Sequence, residues 1–147
     1  MINSKEYKIQ IDGIDIVEKS LVRTQLSSDD LFLFSVKAQC VVEHQREIVV
    51  TLIEVEVTKA GALSVLANVL VAIGFKVTPF QNVFDDQPGL TEELDIKLQN
   101  TLKDISISTV RGIMASEYRG TALHNAILPI IVAEGLTPID KNIIPPK

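Results

Sequence analysis

Few side chains in this sequence have a type or spacing that could do chemistry. There are two histidines, His44 and His124, and one cysteine, Cys40. A structural zinc site needs four ligands at close spacing, and these three are too few and too scattered. Solvated or core histidines are the expected state. Cys40 falls on the apolar face of a predicted strand. A nucleophilic thiol needs an exposed, electropositive setting, whereas a core thiol packs as a small hydrophobe. Glu54 and Glu56 stand two apart, so on a strand they point the same way. Paired carboxylates can serve as general acid and base, but such a row is more often the solvated end of a half-buried strand. Asp85 and Asp86 lack the pattern of a calcium loop. Gly112 has no glycine-rich surroundings that would cradle a phosphate. The residues therefore propose no catalytic site, no metal and no cofactor, and a non-enzyme is expected.

The elements that carry these residues are legible from periodicity. The first half alternates apolar and polar with period two, the strand signal. Tyr7, Ile9 and Ile11 alternate with Lys8, Gln10 and Asp12. Gly13 is placed to mark a bulge. After the turn cluster Ser27 to Asp30, Phe32, Phe34, Val36, Ala38, Cys40 and Val42 share one face of a second strand. The polar run Glu43 to Arg46 has hairpin length. In a third strand, Val49, Thr51, Ile53, Val55 and Val57 share a face. Its other face begins apolar (Ile48, Val50, Leu52) and ends acidic. Lys59-Ala60-Gly61 is the next turn, and a fourth strand runs from Val65 to Thr78. Short connections imply antiparallel neighbours. Residues 5–78 thus read as a four-stranded antiparallel meander or a close relative, with an apolar face that must be covered.

The second half supplies the cover. Thr91 is placed as an N-cap, with Glu92 and Glu93 suited to the positive end of a helix. The helix then runs from about Glu92 to Tyr118 and stops at Gly120. Leu94, Leu98, Leu102 and Ile105 form one apolar stripe. Ile96, Ile107, Val110 and Met114 form a second, well away from it. A helix lying on one sheet needs one stripe. The second points to an oligomer built through Ile107, Val110 and Met114; a helix covered by the C-terminal segment is the alternative. Ala122 to Val132 is too apolar to remain in water and must dock, although Pro129 breaks it. The fold class is α+β: a two-layer domain spanning 1–147, with a four-stranded antiparallel sheet covered by a long C-terminal helix and a short apolar segment.

Composition narrows the partners. The 147 residues carry a net charge of -5, and no basic stripe of the kind nucleic-acid binding requires is present. The most apolar segment, Ala62 to Phe75, is broken by Ser64 and Asn68 and falls short of the roughly 18 apolar residues of a membrane span. The N-terminal residues lack the apolar core of a secretory signal. With a single cysteine, a reducing, cytoplasmic setting is the simple reading.

Certain runs of residues resemble the SecB family of protein-export chaperones. Ile9-Gln10-Ile11 through Ile14, with Glu18 and Leu21, is similar to that family's first strand. Ile73-Gly74-Phe75-Lys76-Val77 is similar to the end of its fourth. Ser108 to Thr121, with Arg111 one turn in and the Arg119-Gly120 stop, resembles the end of its long helix. Leu128-Pro129-Ile130-Ile131 resembles the entry to its final segment. The resemblance implies a SecB-like fold and a homotetramer, a dimer of dimers. It also implies a holdase that binds unfolded polypeptides, preproteins for export among them. It further implies hand-over of clients to the SecA motor through acidic residues on the sheet. Glu18 matches one such position. The other falls at Val22, and no metal-binding tail follows the last segment.

The expectation is a molecular chaperone whose client groove is formed by Phe75, Phe80, Phe84, Leu123 and Ile127, apolar residues flanking the helix and its loops. Two alternatives stand beside it. One is a dedicated SecB-like chaperone of a single partner, such as an antitoxin. The other is a small-ligand carrier or enzyme with a pocket between sheet and helix. A long open groove favours the chaperone, and an enclosed pocket with converging polar groups favours the ligand.

Overall fold

The computed structural model describes residues 6–23, 26, 30–84 and 94–139. Four strands come first: β1 (Lys8–Leu21), β2 (Phe32–Glu43), β3 (Ile48–Lys59) and β4 (Val65–Thr78). A 3-10 turn, Phe80–Val83, leads towards the helix α1 (Ile96–Glu117). All strand pairs are antiparallel, in the order β1-β4-β3-β2. The fold class expected from the sequence is the one observed.

The order is not a plain meander. β1 leaves its sequence neighbour β2 and pairs with β4, a Greek-key arrangement. Burial explains it. β3 and β4 are largely apolar on both faces, and most of their residues are buried. Such strands belong in the middle of a sheet. β1 carries Lys8, Asp12, Asp15, Glu18 and Lys19 and is exposed along most of its length, as an edge strand should be. Its register slips between Ile11 and Gly13 and again between Ile16 and Glu18, so Asp12 and Val17 are the extra residues of two bulges. The first lies one residue from the expected Gly13. Bulges of this kind bend an edge strand and increase its twist.

Helix α1 begins later than its sequence suggests. Thr91, Glu92 and Glu93 lie outside the described residues. Leu94 makes an isolated bridge to Phe84, and Asp95 is the N-cap, its Oδ2 accepting from the Leu98 amide at 3.2 Å. The helix ends at Glu117, with Gly120 at φ 77 shortly beyond.

Both stripes of α1 face inward except at Ile96, which is exposed in the first turn. Leu98 and Leu102 are buried, and so are Ile107, Val110 and Met114. Ser106 lies between them, and its Oγ shares a hydrogen bond with Thr51 of β3. The two stripes are the two sides of one face that covers roughly half the helix at 100° per residue. Leu123, Ala126, Leu128 and Ala133 belong to the same core and help to cover it. Ile107, Val110 and Met114 are therefore core residues of their own chain. They present no exposed face for the oligomer interface expected at these three positions. The C-terminal segment, the alternative weighed above, explains the width of the face.

The segment after α1 is held by named contacts. Arg111 Nε donates to Leu128 O at 2.7 Å and Nη2 to Pro129 O at 2.9 Å. The Ala133 amide donates to Asp104 Oδ1 at 3.0 Å. The chain then passes over the outer edge of β2, where the Ala38 amide donates to Thr137 O at 3.1 Å. Ile139 thereby reaches the sheet face opposite the helix. It packs with Ile48, Val50, Leu52, Leu70 and Ala72 in a second apolar cluster. The sheet thus has a core on both faces.

Candidate functional site

β2 is an edge strand, and its outer side is the feature that could receive another chain. The Ala38 amide points away from β3, because it donates to Thr137. The β2–β3 register is regular throughout. Backbone direction alternates along a strand. The amides and carbonyls of Phe34 and Val36 therefore also point outward. Among the described residues, Ala38 is the β2 amide whose main-chain hydrogen bond leaves the sheet on this side.

Beside that edge runs an open apolar groove of about 330 Å³. Phe32, Leu33, Phe34 and Val36 form one wall, and Leu128, Pro129, Ile131 and Leu136 form the other. Arg111 fixes the second wall through its bonds to the Leu128 and Pro129 carbonyls. Leu33 is 57% exposed. Apolar walls beside main-chain groups that find no partner across this edge among the described residues match an extended polypeptide, which would pair along the edge and lay alternate side chains into the groove. Nothing in the groove resembles a catalytic constellation.

The groove residues expected from the sequence are not brought together. Phe75 and Leu123 are fully buried in the core and cannot line an open groove. Phe80 and Phe84 pack edge-to-face, ring centres 5.7 Å apart, and His44 stacks on Phe84 at 5.7 Å. This aromatic cluster lies near the start of α1, where the Asp95 amide donates to Val83 O. Ile127 is 62% exposed on the segment that follows the helix. Its neighbour Leu128 is tied to Arg111 in the second half of α1, whereas the aromatic cluster adjoins the first turn. The observed groove residues were visible as the apolar face of β2 and the Leu128-Pro129 run. The missing signal was that β2 is an edge.

The remaining chemical candidates fall as follows. Cys40 is half-buried, and burial pushes its thiol up to about 11, with Lys103 pulling the other way. That is an inert thiol, as its place on the apolar face implied. Glu54 is not the solvated strand end that was expected. It is 4% exposed, opposite Lys37 of β2 in the register. Glu56 is half-buried beside it. His124 is exposed, its Nδ1 3.0 Å from Thr121 O. Glu18 is exposed on β1, opposite Leu70. Asp85 and Asp86 lie outside the described residues. No described helix is long and apolar enough to cross a membrane.

No family model and no curated protein sequence matches the chain. Among solved structures it is similar to the SecB-like chaperone of Mycobacterium tuberculosis in complex with a ChAD peptide from the HigA1 antitoxin. The two are 13% identical with a TM-score of 0.52, over 84% of this chain and 90% of that one. At that identity the likeness is one of fold.

Proposed function

We propose that this protein is a holdase that captures extended apolar segments of non-native polypeptide along the outer edge of β2 at Phe34 and Val36. The observation that carries the reading is the conjunction at that edge. Outward-facing main-chain groups at Phe34 and Val36 run beside an open groove walled by apolar side chains. Main-chain pairing gives affinity that does not depend on sequence, and the apolar walls select against folded, polar surfaces. The fold supports the same reading, since a chaperone with this architecture holds a peptide. The binding itself requires no cofactor and no bond-making step.

A dedicated chaperone is the second reading, favoured by the antitoxin peptide in that neighbour. Assembly as a dimer of dimers belongs to the proposal. Its support is the outer edge of β1, which pairs with no other described strand and leaves Ile11, Ile14 and Val17 exposed. A cytoplasmic setting belongs to it too, and suits a free thiol. Export through SecA has less support, because Val22 stands exposed where a second acidic residue would be needed.

The test is aggregation of several unfolding model proteins with and without the purified full chain at equimolar ratio. Suppression across unrelated clients is expected of a general holdase. Failure with all of them, together with one dominant polypeptide captured from the host lysate, would move the conclusion to the dedicated chaperone. Failure of both would sink polypeptide binding.

A further inference from the structure

A second cavity lies at the opposite edge of the sheet from the β2 groove, between the end of β1 and the last turns of α1. It is half-enclosed and measures about 270 Å³. Leu21, Val69, Met114 and the Tyr118 ring supply apolar walls. Lys19 and Glu117 also line it, with Lys19 Nζ 3.1 Å from Glu117 Oε2 and side chains 63% and 37% exposed. One cation and one anion therefore stand side by side where an apolar chamber opens to solvent. We propose that this cavity binds a free apolar α-amino acid, with its side chain among Leu21, Val69 and Met114, its carboxylate on Lys19 and its ammonium on Glu117.

Charge bookkeeping favours the zwitterion over simpler ligands. An apolar amine could pair with Glu117 but would leave Lys19 without its partner. An apolar acid would do the reverse. A molecule carrying both charges on one carbon turns one ion pair into two and leaves neither side chain stranded. The exposed Lys19–Glu117 pair contributes little by itself, so opening it is cheap. The ammonium end has further support from the helix. α1 has no basic residue in its last turn, so its negative C-terminal end is uncompensated by its own side chains and adds to Glu117. The volume falls just below that of sites for drug-sized ligands, which suits a molecule as small as an amino acid. The proposal does not depend on polypeptide binding at β2, because the two sites share no lining residue.

The experiment titrates the full chain with L-leucine, following backbone amide resonances and the heat of binding. N-acetyl-L-leucine, which lacks the ammonium, and L-leucinamide, which lacks the carboxylate, are the controls. L-Leucine should shift the amides of Leu21, Val69 and Glu117. Each control should bind about tenfold more weakly, the loss expected for one charge-assisted contact. Lys19→Ala and Glu117→Gln alter exposed side chains and should fold normally. Each should weaken L-leucine about tenfold while leaving suppression of aggregation unchanged. Absence of L-leucine binding at millimolar concentration overturns the proposal. Equal binding of the capped analogues also overturns it, leaving an apolar pocket without head-group recognition. Tighter L-leucinamide binding to Lys19→Ala would make it an amine site instead. Amide shifts at Leu21 and Val69 that follow protein concentration alone would mean that a second copy fills the cavity.

Discussion

Cys40 shows how far a single side chain follows its surroundings. Burial raises its pKa from the ordinary 9.0 to about 11. The neutral thiol is the form the fold favours. Its contribution to stability is therefore fully present below pH 9 and is lost as pH rises through about 11. The loss should be on the order of 2 kcal/mol, allowing for residual solvent contact. Denaturant midpoints measured from pH 7 to 11 should fall in the upper part of that range for the native chain and less for Cys40→Ala. The same burial should make alkylation of the folded protein at pH 8 far slower than that of the unfolded chain. Thr51 and Ser106 show a different constraint. Both are fully buried, and Ser106 Oγ also donates to Leu102 O at 2.7 Å. Ser106→Ala leaves Thr51 with a long contact of 3.5 Å to Ile73 O. It should cost about 1–2 kcal/mol, whereas Thr51→Val combined with Ser106→Ala should cost less than the sum of the single changes. A double-mutant cycle by urea unfolding measures the coupling; simple additivity would mean that the pair does not pin the helix to the sheet.

At the scale of elements, α1 is the informative case. Its apolar face is twice as broad as one sheet contact needs, and the sequence offers two explanations: a partner copy or a covering segment. The structure selects the second, because residues 123–133 lie against the helix and share its core. Val110→Ala and Met114→Ala should therefore destabilise each chain, Met114→Ala by about 2–5 kcal/mol. Variants that unfold at unchanged midpoints but run as smaller assemblies in sedimentation would return these residues to an interface. The strands show where local signals suffice. β2, β3 and β4 start where the alternation starts, within a residue, because half-buried strands impose period two on their own sequence. Helix α1 starts at Ile96 and not near Glu92. Several acidic and hydroxyl residues in a row could each cap a helix, and the choice of Asp95 accompanies the Phe84–Leu94 bridge, a tertiary contact.

For the whole molecule, the consequence of strand order is that β2 becomes an edge, and with it the proposed binding surface. Leu33→Asp changes an exposed residue of the groove wall. It should lower suppression of aggregation several-fold and shift the thermal midpoint little, as surface substitutions do. Full activity in this variant would remove the β2 groove from the proposal. The candidate site was legible only in part. Phe32, Phe34 and Val36 stand out in the sequence as one apolar face, but so do the aromatic and aliphatic positions near the helix. Apolar type alone does not separate Phe75, at the centre of the core, from Phe34, at its rim.

The sequence by itself determined four antiparallel strands, a long helix, an apolar segment that must dock and an inert cysteine. Each of these follows from periodicity, turn chemistry or residue type within a few positions along the chain. Tertiary structure alone decided that β1 lies beside β4, that both sheet faces are covered, and that the second stripe of α1 is core. It also placed Lys19 against Glu117, 98 positions away. Those outcomes depend on which apolar surfaces meet. That choice is settled by total burial over the whole chain, where β3 and β4 exclude more water at the centre than any other pair of strands could.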